Sequence, residues 1–310
     1  MLTNTSQPQH DTTADDCRSQ FLALLGADPL GEDEVLYSLI DGAKFAGLGR
    51  LPMAAAGVTL HSLLGESAQF DAMYAGPVLL CHAQGAACPV LYRLLAVEDS
   101  AGFASLLSAT RSLPELLRHL SWLTDVRHED GTEWVMRYYD PLILPHWLAV
   151  LDARQRAAAL SGLSRWLYID VRGEAQAIAG TAGDSPLPPA QDPMLMTEGQ
   201  SAALMQRAMP YLVMNLIESD DPLALATVPR DRRYDFFSDH LERAHAHGLA
   251  SATDLKTYCM LALMFGASFE AQPLVAQALA PAAATTFSEQ ILQWTPEQWA
   301  LLEDAAAATV

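Results

Sequence analysis

Val35-Leu36-Tyr37-Ser38-Leu39-Ile40-Asp41-Gly42 is a run of β-branched, aromatic and aliphatic residues closed by a favoured turn pair. It reads as a strand, Val35 to Ile40, that enters a sheet core and stops at an acid. Asp41 must either find a donor or face water. Capping the following turn is the plain role for it, and an acidic partner for a buried cation is the second.

Moving outward, Val78 to His82, Phe103 to Leu107, Glu133 to Tyr139 and Trp166 to Val171 read as further strands, while Leu51 to Leu64, Val90 to Val97 and Leu113 to Leu123 read as helices. In the third helix Leu113, Leu116, Leu117, Leu120 and Leu123 fall on one face, which should pack on the sheet. Period two sends Trp134, Met136 and Tyr138 one way and Val135, Arg137 and Tyr139 the other. Neither face is polar, so this strand is expected in the middle of a covered sheet. Alternating strands and helices predict a mixed α/β domain with its sheet covered by helices.

The stretch from Gly180 to Pro193 is dense in Gly, Pro, Asp and Ser, which break both helix and strand. The expected organisation is a polar segment and helix over 1–33, the α/β domain over 34–179, a linker over 180–196 and an all-α domain over 197–310. In the last of these, Thr295, Pro296 and Gln298 form a capping-box pattern, Tyr234, Phe237, Leu241 and Ala244 form an apolar stripe, and Gly248 is a stop. Cys259 to Phe265 is apolar all round, which predicts a central helix or one covered by a partner.

The chain has 310 residues, 51% of them hydrophobic, enough for two domains with real cores. Eighteen basic against 37 acidic residues give a net charge of −19, a field that repels a phosphate backbone and makes nucleic acid an unsuitable partner. Only Lys44 and Lys256 are lysines, so the positive charge is nearly all arginine, suited to fixed ion pairs. Four scattered cysteines do not make a disulfide framework, and the polar N-terminus lacks the pattern of a signal peptide. The Cys259 to Phe265 run falls far short of the ~20 residues of a membrane span. A cytoplasmic location without membrane insertion is expected.

The sequence has no Gly-x-Ser-x-Gly elbow, phosphate loop or dinucleotide fingerprint. Cys81, His82 and Cys88 lack a fourth close ligand, and His240, His245 and His247 cannot converge from one helix. Paired acids such as Asp15/Asp16, Asp220/Asp221 and Glu303/Asp304 read as caps and solvating charge. No catalytic, cofactor or metal residues are assigned.

The second informative segment is Arg137-Tyr138-Tyr139-Asp140-Pro141. It places arginine in a strand interior, where it demands an acid, followed by Asp at an N-cap and Pro at a first helical position. Arg137 is therefore expected to pair with Asp41 or Asp140.

Four segments in this order resemble the type VI secretion adaptor/chaperone family, the Tap/Tec-type adaptors known as domain of unknown function 4123. They are Ile40-Asp41-Gly42-Ala43; Gly76-Pro77-Val78-Leu79-Leu80; Arg137-Tyr138-Tyr139-Asp140-Pro141 with Trp147; and Gly162-Leu163-Ser164-Arg165-Trp166. The likeness spans Glu34 to Val171, and Leu163 departs from the proline common after that glycine.

The resemblance implies a cytoplasmic, non-enzymatic chaperone that binds a cognate toxic effector and promotes its loading onto the VgrG spike protein. It implies fold-maintaining roles for Asp41, Gly42, Gly76, Pro77, Arg137, Asp140, Pro141, Trp147, Gly162 and Trp166, and partner selection by the helical extension. The alternatives are a hydrolase using Asp41 at the sheet's carboxyl end, or an immunity-type protein that blocks a toxin.

Overall fold

The computed structural model describes residues 14–45, 47–64, 76–97, 100–181, 192–280 and 285–307. The chain divides into two compact units, Met1–Met205 and Gln206–Val310.

The first unit is mixed α/β. Its main sheet holds β1 (Val35–Asp41), β2 (Thr59–Ser62), β3 (Pro77–His82), β4 (Ala104–Ala109), β7 (Leu163–Ile169) and β8 (Ala175–Ala179) in the order β2-β3-β1-β4-β7-β8, with every pairing antiparallel. A small sheet, β6-β5-β9, joins β5 (Asp125–His128) and β6 (Glu133–Val135) antiparallel and β9 (Met194–Met196) parallel to β5.

Both faces of the main sheet are covered, which is why its central strands are apolar on both sides. On one face Tyr37, Leu39, Leu79, Leu107 and Trp166 pack with Leu116, Leu120 and Leu123 of α3 (Leu113–Thr124) and Trp147 of α4 (Leu144–Val150). On the other, Leu36, Ile40, Val78, Leu80 and Leu106 pack with Phe21 and Leu25 of α1 (Ala14–Ala27) and Leu91 and Leu94 of α2 (Pro89–Leu95). The leucine stripe foreseen in α3 faces the core as its three-and-four spacing requires.

Three local expectations are corrected. The helix expected over 51–64 is not formed: a single 3-10 turn, Ala54–Ala56, ends at Gly57, whose φ of 64° breaks the helical run, and β2 follows on β3. Val58 and Thr59 then favour the extended chain over the expected helix.

The strand expected over 133–139 pairs only through Glu133–Val135, and at a sheet edge rather than its middle. Residues 136–139 leave the ladder, with Met136 and Tyr138 buried and Arg137 exposed, so the period-two reading of those three holds without a strand. The helix expected to start at Pro141 is assigned from Leu144 after a turn. Asp140 still accepts from Leu142 N through Oδ1 at 3.1 Å and from Leu144 N through its carbonyl at 2.9 Å, so it organises the entry without being the N-cap.

Of the stretch expected as a linker, residues 182–191 lie outside the described residues, while Met194–Met196 form β9. The helix α6 (Glu198–Asp220), which contains Pro210, follows α5 (Ala153–Ala159) and these strands.

In the second unit the described residues hold only helices beyond α6: α7 (Arg230–Ala246), α8 (Ala252–Phe265), α9 (Pro273–Ala278), α10 (Phe287–Leu292), α11 (Pro296–Ala307) and short 3-10 turns. Phe237, Leu241 and Ala244 of α7 and Leu255, Tyr258, Cys259 and Leu261 of α8 are buried. The all-round apolar α8 is thus the central helix, touching α7, α10 and α11. The foreseen stops and caps are present: Gly248 has φ 80°, and Thr295 and Gln298 exchange backbone-to-side-chain bonds of 2.8 and 3.4 Å.

Asp254 joins the starts of α8 and α10, accepting from Ser288 N at 2.8 Å and from Ser251 Oγ at 2.8 Å. Burial pushes its carboxyl up, but these hydrogen bonds outweigh it and hold the group below its ordinary range.

Candidate functional site

β1 delivers Asp41 to the end of the sheet, opposite Pro77 of β3. Gly42 N donates to Gly76 O at 3.0 Å, so the Asp41-Gly42 and Gly76-Pro77 segments lie side by side. Ala43 N donates to Asp41 Oδ1 at 3.3 Å, the side-chain turn expected after Asp-Gly.

The other carboxylate oxygen accepts from Arg137 Nη2 at 2.5 Å. Arg137 also stands 4.0 Å from Asp140 Oδ2, and its guanidinium lies 5.8 Å from the centre of the Tyr139 ring. Lys44 completes the group by donating from Nζ to Asp140 Oδ2 at 2.7 Å and to Gly102 O at 3.2 Å. Asp41, Arg137, Asp140 and Lys44 alternate acid and base along one chain of contacts at the sheet's end.

Of the two expected alternatives for Arg137, Asp41 pairs with it and Asp140 stands at 4.0 Å, but the expected burial is reversed. Asp41 is 1% exposed, whereas the Arg137 side chain is 46% exposed. A guanidinium that leaves the strand at 136 can lie along the surface with its tip turned inward, its stem sharing the cost of dehydration. Burial pushes the Asp41 carboxyl above its ordinary value, with Arg137 offsetting only part of that. Burial works against the Arg137 charge as well, yet Asp41, Tyr139 and Asp140 together hold the guanidinium above its usual range.

Trp147 and Trp166 meet in the core beneath. Tyr138 donates to Leu120 O at 2.6 Å, and its ring centre lies 5.7 Å from Trp147 and 5.8 Å from Trp166. Trp166 donates from Nε1 to Ser105 Oγ of β4 at 2.9 Å. Gly162 precedes β7 at φ 70°, and a Cβ there would run into the Arg111 side chain, so the backbone conformation favours glycine and a larger residue would make the guanidinium move. Arg111 in turn donates to Ser161 Oγ at 3.0 Å.

Residues 36–158 match the family model described as Domain of unknown function (DUF4123). That family is associated with type VI secretion effector adaptors. The DUF4123 region covers less than half of the chain and contains Asp41, Gly42, Gly76, Pro77, Arg137, Asp140, Pro141 and Trp147. Gly162 and Trp166 lie beyond it, and Trp166 joins it physically through Tyr138. No curated protein and no solved structure matches the chain.

Lys44 and Ser105 have no site role in the sequence alone. Lys44 carried a signal, as one of two lysines in the chain and three residues after Asp41. Ser105 carried none, since its role depends on the register of β4 with its neighbours.

Of the metal candidates, Cys81 and His82 point to opposite faces of β3, His82 Nε2 lies 2.7 Å from Ser38 Oγ, and its Nδ1 lies 3.4 Å from Cys88 Sγ. His240 Nδ1 bonds Phe236 O, His245 Nδ1 bonds Leu249 O and His247 Nε2 meets Glu270. Among the described residues no three such ligands gather around one point, and no helix is long and apolar enough to cross a membrane.

Proposed function

We propose that this chain is a type VI secretion adaptor, a cytoplasmic, non-enzymatic chaperone that binds a cognate toxic effector and promotes its loading onto the VgrG spike. The observation that carries the reading is the match of residues 36–158 to a family associated with such adaptors. The convergence of all four resembling segments on one ion-pair cluster and one aromatic core supports it.

The geometry supports a structural role for those segments. Asp41 is buried against Arg137 and a turn amide, an arrangement that anchors a sheet end and leaves its carboxylate no free face for a reactant. Arg137, Asp140 and Lys44 fix the route of the chain from the small sheet into α4. Partner recognition then falls to surfaces outside the motif, including the helical unit.

Co-purification of the full chain with the product of a neighbouring effector gene, and separately with the spike protein, tests the reading. An adaptor retains both. A chain that retains neither is not one, and a chain that binds the effector only by abolishing its toxic activity is an immunity-type protein instead.

A further inference from the structure

β6 is an edge of the small sheet, paired with β5 on one side only. Its register sets Asp125 against Val135, Val126 against Trp134 and Arg127 against Glu133. Just beyond these pairs, Met136 N donates to Thr124 O and His128 N to Thr132 O, both at 2.8 Å. The alternation of an antiparallel ladder then turns the main-chain groups of Trp134 inward to Val126, and the N–H and C=O of Glu133 and Val135 outward. Among the described residues these outward groups meet no hydrogen-bond partner. Other edges are tied down: Ala175 N of β8 donates to Gln20 Oε1 at 2.8 Å, and Leu195 O of β9 accepts from Gln155 Nε2 at 2.6 Å.

The side chains beside this open edge share one face of the small sheet. Val135 stands opposite Asp125, and Glu133 opposite Arg127, which is also in register with Leu195 of β9. Their neighbours Val126 and Met194 are buried in the core, so period two sends this set outward. Val135 is 64% and Leu195 54% exposed. A cleft of about 290 Å³ is lined by residues 125–127 and 133–135 and by Pro193.

Charge decides what suits the edge. From Asp125 to Val135 the hairpin carries four acids, Asp125, Glu129, Asp130 and Glu133, and one arginine, Arg127. Arg127 meets Glu133 at 3.1 Å with both side chains in water, a pair weak enough for an incoming cation to share. The acidic excess keeps two copies of β6 apart and attracts a basic chain.

We infer that β6 takes up an extended basic segment of a protein partner as a fourth strand of the small sheet. The segment runs antiparallel to β6, makes four main-chain bonds with Glu133 and Val135, and places an aliphatic residue beside Val135 and a lysine or arginine beside Glu133. These two lie two residues apart, because alternate side chains of a strand share a face. Resting on the adaptor reading, the segment belongs to the effector.

The test uses the full chain and a fluorescein-labelled peptide, Thr-Thr-Val-Thr-Lys-Thr-Thr, followed by anisotropy. One control peptide carries glutamate for lysine, and another is N-methylated at its valine and lysine, which removes the amides that would bond to β6. Val135→Pro removes an outward amide while sparing the bonds between Trp134 and Val126, as an edge position allows. Glu133→Lys reverses the charge. Ala177→Pro puts proline at an exposed position of β8, the far edge of the main sheet.

The expected result is binding of the lysine peptide, weakened at least tenfold by either change to the peptide, by Val135→Pro and by Glu133→Lys, and less than twofold by Ala177→Pro. If Val135→Pro does not fold, Glu133→Lys and the N-methylated peptide decide, since neither alters the β6 backbone. No binding, undiminished binding of the N-methylated peptide, or equal loss with Ala177→Pro overturns the inference. Dimerisation of the chain that Glu133→Lys or Val135→Pro abolishes gives the edge to a second copy and overturns it too. Effector that co-purifies equally with the wild-type chain and with Glu133→Lys removes this edge and leaves the adaptor reading. Peptide binding as expected with failed co-purification leaves the edge and removes the adaptor reading.

Discussion

Arg137 and Asp41 are 96 residues apart in the chain and 2.5 Å apart in the fold, and only the acid is buried. This asymmetry makes the two halves of the pair unequal. Removing Arg137 strands a carboxylate inside the protein, whereas removing the Asp41 charge leaves a guanidinium that water already reaches.

Arg137→Ala is therefore expected to destabilise the first unit by about 2–3 kcal/mol at pH 7, and Asp41→Asn by less than about 1 kcal/mol. The folded pKa of Asp41 lies above its ordinary value, so the folded state holds the extra proton and this group's contribution falls as pH rises through that interval. Without Arg137 the carboxyl rises further, so the Arg137→Ala deficit should shrink between pH 7 and pH 5. Urea unfolding at both values checks this, and a deficit that grows on acidification contradicts it.

His82 and His119 give the opposite slope. Burial depresses both to about 4 from an ordinary 6.5. The unfolded state then binds more protons between those values, so stability is fully present above about 6.5 and is lost as pH falls toward 4. Each should cost about 2 kcal/mol by pH 5, from roughly 1.4 kcal/mol per pKa unit. A His82→Gln/His119→Gln variant should show a visibly flatter denaturation profile between pH 7 and 5, and an unchanged slope contradicts the assignment.

Trp166 and Trp147 are both fully buried, but only Trp166 uses its indole N–H, on Ser105. Trp166→Phe loses volume and a hydrogen bond and strands the serine, whereas Trp147→Phe loses volume alone. Thermal unfolding should place Trp166→Phe about 1 kcal/mol below Trp147→Phe.

Gly162→Ala combines a Cβ clash with Arg111 and a left-handed backbone. A loss of about 1–3 kcal/mol is expected, and Arg111→Ala in the same chain should recover only part of it, since the backbone strain remains. Full recovery by the double variant would show that space alone selects glycine.

The sheet and the caps were legible because their signals are local. Val35-Leu36-Tyr37-Ser38-Leu39-Ile40, the α3 leucines, Gly248 and the Thr295 to Gln298 box each declare their state within a few residues. The failures fall where the third dimension overrides pattern. Residues 51–64 read as a helix, yet Gly57 divides them and β3 offers an edge to pair with. Residues 136–139 look like strand, yet Tyr138 gains more from Trp147, Trp166 and the Leu120 carbonyl than from a ladder.

By itself the sequence determined that Arg137 requires an acid, that Asp41 closes a strand and that an α/β portion precedes a helical one. Charge type, turn chemistry and periodicity are properties of short stretches. Only the tertiary structure decided that both acids share Arg137, that Lys44 completes the cluster, and that Asp41 rather than Arg137 is shielded from water. Burial is set by which segments cover a site, and those beside Asp41 include Pro77 of β3, Phe103 and Arg137, none of them near it in the sequence.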